Sequence, residues 1–260
     1  MCKVITVNSQ KGGCGKTTTV QSLAAGLSLK GYLCLVIDLD PQGNLSIVSG
    51  VKDYDNTIYE LMKGECCFED AYKVNEYYDI LPADLSLSDF NQDFSNDKKE
   101  YVLKNLLEQI RERYDYIIID TPSGHGILNI ISLIASDYVL LPTEQSFYAL
   151  HGLEQLNDLI KDVQVNFNPG LKILGLVIVR YNKRTTIDQF LNSLINHFTN
   201  EYGIKLFETF IRESPAIKLA QGMRENIIEF APRNRTSKDY RNFANIVDRE
   251  CGVNVDRKII

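Results

Sequence analysis

Short apolar runs alternate with longer stretches in which apolar residues recur at helical spacing, and this continues along most of the 260 residues. Lys3–Val7 reads as a strand, followed by a helix from about Lys16 to Lys30 that Gly31 ends, then a strand over Leu33–Asp38. Thr57-Ile58-Tyr59-Glu60 is a capping box opening a short helix that stops at Gly64. Tyr78–Pro82 reads as a strand and Glu100–Arg113 as an amphipathic helix. Further strands are predicted at Tyr116–Asp120, Tyr138–Pro142, Lys172–Val179 and Lys205–Phe210, and further helices over Gly152–Val165, Thr186–Asn200 and Ser237–Cys251. Asp84–Lys99 is polar and irregular and reads as a surface loop. Continuously apolar strands, such as Tyr116–Asp120, are those buried on both faces, and their alternation with helices predicts a doubly wound, mostly parallel α/β sheet with helices on both sides. With no internal repeat or long linker, residues 1–260 are expected to form one domain.

The densest chemistry lies between the first strand and the first helix, where residues 10–18 read Gln-Lys-Gly-Gly-Cys-Gly-Lys-Thr-Thr. Gly12, Gly13 and Gly15 let backbone N–H groups close on an anion, and the helix N-terminus adds a favourable dipole. Lys16 reaches terminal phosphates, and Thr17 offers the hydroxyl that Mg²⁺ takes as a ligand. The usual phosphate-loop pattern has glycine where this chain has Gln10, and a second lysine, Lys11, follows. Two further strands end in carboxylates. Leu35–Leu39 runs into Asp38 and Asp40, two residues apart and so on one side of the strand end, before Pro41 and Gly43 turn the chain away. Tyr116–Ile119 runs into Asp120, which emerges at the carboxyl end of a buried sheet, where such residues hold Mg²⁺ through a water. Cys14 sits among N–H donors between Lys11 and Lys16, a setting that favours the thiolate and would make it the most reactive of the six cysteines; it reads equally as a small buried residue that packs against the helix.

The Lys-Gly-Gly-x-Gly-Lys-Thr form resembles the deviant phosphate loop of the ParA/MinD group of ATPases. Asp38-Leu39-Asp40-Pro41-Gln42-Gly43-Asn44 matches that group's second motif letter for letter, and Asp120-Thr121-Pro122-Ser123-Gly124 resembles its third without the second proline. The resemblance extends through Pro142–Gly152, where two glutamates of the pattern are Ser146 and His151, through Val177–Asn182, Ile211–Ser214 and Glu229–Pro232, and spans about Lys3–Ala244. It implies a P-loop NTPase fold closest to the ParA/Soj partition proteins, with ATP and Mg²⁺ as cofactors. It also implies nucleotide contacts from Lys11, Gly12, Gly13, Cys14, Gly15, Lys16, Thr17 and Thr18, with Arg180, Pro232 and Asn234 beside the adenine. On the same resemblance Lys11 acts on the nucleotide of the other subunit in an ATP-dependent homodimer and Lys16 on its own. Thr17, Asp38 and Asp120 serve the metal, Asp40 orients the attacking water, and a ParB-like partner stimulates hydrolysis.

Composition qualifies the partners. The net charge is −6, so the chain as a whole does not attract DNA, but Arg212–Lys258 holds ten basic and seven acidic residues. Arg233, Arg235, Lys238 and Arg241 fall within nine residues opposed only by Asp239. Doubled in a dimer, this cluster, with Lys218 and Arg224, would neutralise DNA phosphates without reading sequence; it reads equally as a solvated helix face. No apolar stretch approaches the roughly 18 residues of a membrane span, and no apolar leader is visible, which predicts a cytoplasmic, nucleoid-associated protein. Six cysteines without a CxxC pair read as reduced thiols. A membrane-cycling relative would need an amphipathic tail, and Val253–Ile260 is too short and mixed. An iron–sulfur relative would need cysteines at the dimer axis, and none lies between Cys67 and Cys251. The 14 tyrosines are scattered, unlike the tyrosine-rich tail of a bacterial kinase. An amide ligase of the same fold, and a nucleotide-gated scaffold that positions a partner without DNA, stay open.

Overall fold

In the computed structural model, residues 1–51, 54–93, 99–182 and 186–252 are described; the tail over 253–260, read above as too short for a membrane helix, lies outside them. Eight strands form one sheet: β1 (Lys3–Val7), β2 (Cys34–Asp38), β3 (Lys73–Val74), β4 (Asp79–Leu81), β5 (Tyr116–Asp120), β6 (Tyr138–Thr143), β7 (Lys172–Tyr181) and β8 (Leu206–Arg212). Their spatial order is β3-β4-β2-β5-β1-β6-β7-β8, parallel throughout except for the β3–β4 pair at one edge. Every residue of β2 and β5 is buried, which is why these segments are continuously apolar rather than alternating.

Side-chain alternation divides the strands between two layers. Val36, Ile5 and Ile118 face a core shared with the helices Lys16–Ser28 and Arg235–Cys251 through Leu23, Tyr240 and Phe243. Leu35, Val4 and Ile117 face the opposite core with the helices Ile58–Lys63, Val102–Ile110 and Ile127–Ile134. The helices Phe147–Asn166 and Thr186–Tyr202 extend the packing over β6 and β7 through Leu156, Ile160 and Ile195. On the first side, a Cβ at Gly26 would stand 2.7 Å from that of Ala244, so the phosphate-loop helix and the last described helix meet at a contact that only glycine permits.

Most predicted elements form within a residue or two, including the Thr57/Glu60 capping box and the left-handed stop at Gly64. Three expectations change. Asp84–Lys99 is not simply irregular: Leu85–Asp89 is a 3₁₀ turn capped by Asp84, Phe90–Asp93 is a short helix, and Leu87 and Phe90 are buried. The apolar residues here, Leu85, Leu87 and Phe90 among the described ones, follow neither a strand nor a helix period over enough length to register. The helix expected from Gly152 starts at Phe147, because the Ser146 hydroxyl caps it by accepting from the Ala149 N–H. The helices Ile127–Ile134 and Pro215–Met223 were not anticipated; the first is so apolar that it carries little periodic contrast.

β1 pairs with β5 and β6, and β5 with β2, so Asp38 and Asp120 are register partners and the loop after Val7 opens beside both. The carboxyl edge of a parallel sheet, where strand order reverses around β1, is the crevice in which such folds hold ligands.

Candidate functional site

The loop after β1 reaches its helix through Gly15, whose φ of 69° lies in the left-handed region that side chains other than glycine rarely adopt. Lys16 and Thr17 begin the helix, and both point across to the end of β5. Thr17 Oγ1 donates to Asp120 Oδ2 at 2.6 Å, and Lys16 Nζ donates to Ser123 Oγ at 2.8 Å. Burial pulls the Lys16 ammonium below the ordinary lysine value, with Asp120 opposing that shift. Burial, reinforced by the neighbouring Asp38 charge, pushes the Asp120 carboxyl above the ordinary carboxylate range.

Asp120 Oδ1 is buried and has no hydrogen-bond partner, whereas its other oxygen holds Thr17. A buried carboxylate oxygen of this kind calls for a cation or a bound water. With the Thr17 hydroxyl alongside, the residues fit a hard divalent cation such as Mg²⁺ held through oxygen ligands. Asp38 is fully buried, and its oxygens accept from the Ser46 N–H at 2.8 Å, the Ser46 hydroxyl at 2.7 Å and the Asp40 N–H at 3.2 Å. It thus holds the turn that carries Asp40. Asp40 is half-buried at the site, and its Oδ1 accepts from the Gln42 N–H at 2.9 Å.

Lys11 does not turn into its own loop. It forms an ion pair with Glu144, just past β6, and Arg180 lies 3.8 Å from the other carboxylate oxygen. That hydrogen bond raises the Lys11 pKa and keeps the lysine charged. Glu144 and Ser123 are the site residues that the sequence reading passed over. Glu144 sits two residues before the position where the family pattern has its glutamate, and Ser123 stands in place of the second proline.

Beyond Gly15 and Thr18 a cavity of about 170 Å³ is lined by Arg180, Ile211 and Tyr240, and it shares Arg212, Glu213, Ser214 and Lys218 with an outer pocket of about 750 Å³. Asn234 lines the outer pocket and also caps the last described helix; Pro232 lines neither cavity, and its carbonyl instead accepts from the Arg241 guanidinium. Tyr181 and Phe210 stack at 3.9 Å between ring centroids at the outer pocket.

The basic residues do not form one patch. Lys218 and Arg235 line the outer pocket, and Arg241 is tied to Pro232. Arg224 caps the far end of the Pro215–Met223 helix, beside Gly50. Arg233 and Lys238 are exposed and line neither cavity. Asp239 does not oppose them: it is buried and accepts from the Arg212 N–H at 3.1 Å and Nε at 2.8 Å. Cys14 is 1% exposed, which favours the small buried residue over the reactive thiol, while Cys67 is the exposed cysteine. Among the described residues no helix is long and apolar enough to cross a membrane.

A family described as an AAA domain matches residues 2–173. The sporulation initiation inhibitor protein Soj of Bacillus subtilis is 33% identical over 250 residues, covering 94% of this chain and 97% of Soj. Among solved structures, cobyrinic acid a,c-diamide synthase from Mycobacterium smegmatis, with a bound ATP analogue and magnesium, superposes with a TM-score of 0.86 at 28% identity, covering 99% of this chain and 98% of that one. The septum site-determining protein MinD of Pyrococcus horikoshii, complexed with Mg-ADP, superposes with a TM-score of 0.81 at 25% identity, covering 99% of this chain and all of the other. With the lysine-flanked phosphate loop, the Asp38–Asn44 turn and Asp120 gathered at one sheet edge, the chain belongs to the ParA/MinD-type P-loop ATPases.

Proposed function

We propose that the chain is a ParA/Soj-like partition ATPase that dimerises with ATP, binds DNA nonspecifically in that state and is reset by partner-stimulated hydrolysis in the cytoplasm. Gly12–Thr18 close on the phosphates, with Lys16 as the principal side-chain clamp. Thr17 and Asp120 would hold Mg²⁺, whose charge would offset the negative charge of the transferred phosphoryl group. Asp38 fixes the turn from which Asp40 orients the attacking water, so that ATP and water give ADP and phosphate. Arg180 and Asn234 line the route from the phosphate loop to the outer pocket, where the nucleoside is placed; Pro232 lies outside it.

The observation that carries this reading is the position of Lys11. A lysine at the loop entrance that is held by Glu144, rather than by its own loop, is free to exchange that partner for the phosphates of a second subunit. Arg233 and Lys238, unopposed once Asp239 is taken up by Arg212, support the DNA contact. The test is steady-state ATPase activity with and without nonspecific DNA and a ParB-like protein, with sedimentation in ATP. Activity raised by both additions, in an ATP-dependent dimer, is expected; a monomeric ATPase indifferent to DNA overturns the reading.

A second reading draws on the cobyrinic acid a,c-diamide synthase likeness, which covers nearly the whole chain. An amide ligase of this fold would couple phosphate release to amide formation on a carboxylate substrate and would ignore DNA. A scaffold that positions a protein partner would hydrolyse ATP with that partner but without DNA, so the same assay separates all three.

A further inference from the structure

We propose that Ser123 is a terminal-phosphate sensor: its hydroxyl contacts the γ-phosphate of ATP and so makes the site favour ATP over ADP. The proposal rests on the reading of the phosphate loop as an ATP site. Ser123 lies three residues past Asp120, on the loop leaving the carboxyl end of β5, and accepts from Lys16 Nζ at 2.8 Å. The same oxygen is 3.6 Å from where a Cβ on Gly12 would stand. The hydroxyl therefore overhangs the mouth of the loop, between its first glycine and its lysine.

That position selects the outer phosphate. The loop N–H groups and the helix N-terminus enclose the inner phosphates, whereas the loop lysine extends to the β- and γ-phosphates. Thr17 and Asp120 would hold a Mg²⁺ ion that supplies charge neutralisation at the terminal phosphates, and Asp120 belongs to the same strand end as Ser123. A group that meets Lys16 from this side faces the γ-phosphate. Lys16 is a buried ammonium and needs an acceptor when no anion is present; the serine oxygen supplies it. A hydroxyl also has one hydrogen to donate, which turns to an incoming phosphate oxygen once Lys16 is taken up by the anion. The family pattern has proline here, with no such donor, so the contact is a property of this chain. ADP has no phosphate at that point, so the Ser123 hydroxyl gains no new acceptor from it.

Titration calorimetry of the full chain with Mg-ADP and with the magnesium complex of the non-hydrolysable β,γ-imido analogue of ATP tests this. Ser123→Ala should weaken the ATP analogue about tenfold, the scale of one hydrogen bond to a charged group, and leave ADP unchanged or slightly tighter. Ser123→Thr, which keeps the hydroxyl, should restore the preference. Equal loss for both nucleotides, or no loss for either, overturns the assignment while the native protein still binds both. A native protein that binds neither nucleotide overturns the ATP reading and this inference with it.

Discussion

Lys11 donates to the carboxylate of Glu144, 133 residues further along the chain, although the phosphate loop to which Lys11 belongs is only a residue away. The contact exists because β1 and β6 are parallel neighbours, so the segments following Val7 and Thr143 leave the sheet at the same edge. Glu144 has Arg180 on its other oxygen and thus stands between two cations. In the isolated subunit Glu144 holds Lys11 by this ion pair.

Lys11→Ala should bind ATP with near-native affinity yet stay monomeric, because the lysine's proposed target lies in the partner. Glu144→Gln should do the opposite and lower the protein concentration needed for ATP-dependent dimers by about two- to fivefold, matching the ~0.2–1 kcal/mol of a partly exposed ion pair. Sedimentation velocity with ATP checks both. A Lys11→Ala protein that dimerises normally sinks the assignment in trans.

Asp40 is carried on the turn that Asp38 and Ser46 fasten, and its Oδ1 accepts from the Gln42 N–H rather than from the phosphate loop. Asp40→Ala should therefore spare nucleotide binding and slow hydrolysis about 100-fold or more, the usual scale for removing a positioned general base. The variant should accumulate as an ATP dimer on size-exclusion chromatography. Native turnover would place water positioning elsewhere.

Arg233→Glu with Lys238→Glu should weaken DNA binding equally across sequences and flatten its salt dependence, since phosphates alone are contacted. These two exposed residues are cleaner probes than Arg235, at the outer pocket, or Arg241, bonded to Pro232. Electrophoretic shifts at several salt concentrations, with ATP binding as the control, provide the measurement. Unchanged affinity would leave the pair as a solvated helix face.

Brief iodoacetamide treatment followed by mass spectrometry should label exposed Cys67 first and Cys14 last, with or without Mg-ATP. The Cys67 thiol is held somewhat above its ordinary pKa by its hydrogen bond to Asp70, so labelling should be slow near neutrality and quicken with rising pH. Early labelling of Cys14 would mean that the loop opens far more often than its burial implies.

Asp239→Ala removes the acceptor for three groups of Arg212 and unties the end of β8 from the last described helix. A loss of about 2 kcal/mol is expected, a few degrees or more in Tm by circular dichroism. Because Arg212 lines both cavities, nucleotide affinity should fall as well. A native Tm would show that Arg212 finds compensation in solvent.

Much was legible in the chain because the signals are local. A strand buried on both faces must be continuously apolar, so β2 and β5 and the carboxylates at their ends stand out. A phosphate loop needs glycines and a lysine at close spacing, and a capping box needs Thr57 and Glu60 three apart. These requirements involve neighbouring residues, and the fold class follows from their alternation. Where the buried side chains stand in a short 3₁₀ turn and a one-turn helix, as Leu87 and Phe90 do, no period was long enough to be read.

The pairings that complete the site are of another kind. Lys11 with Glu144, Lys16 with Ser123, Thr17 with Asp120 and Arg212 with Asp239 join residues that are 27 to 133 positions apart. Each depends on which strands lie side by side and which face a helix turns inward, and neither is encoded within the segment itself. The sequence by itself determined the phosphate loop, the buried strands and the carboxylates that end them. Only the tertiary structure decided that Cys14 is sealed inside, that Asp239 is spent on Arg212, and that Glu144 and Ser123 meet the two lysines, because side-chain partners are settled by packing at the sheet edge and not by spacing along the chain.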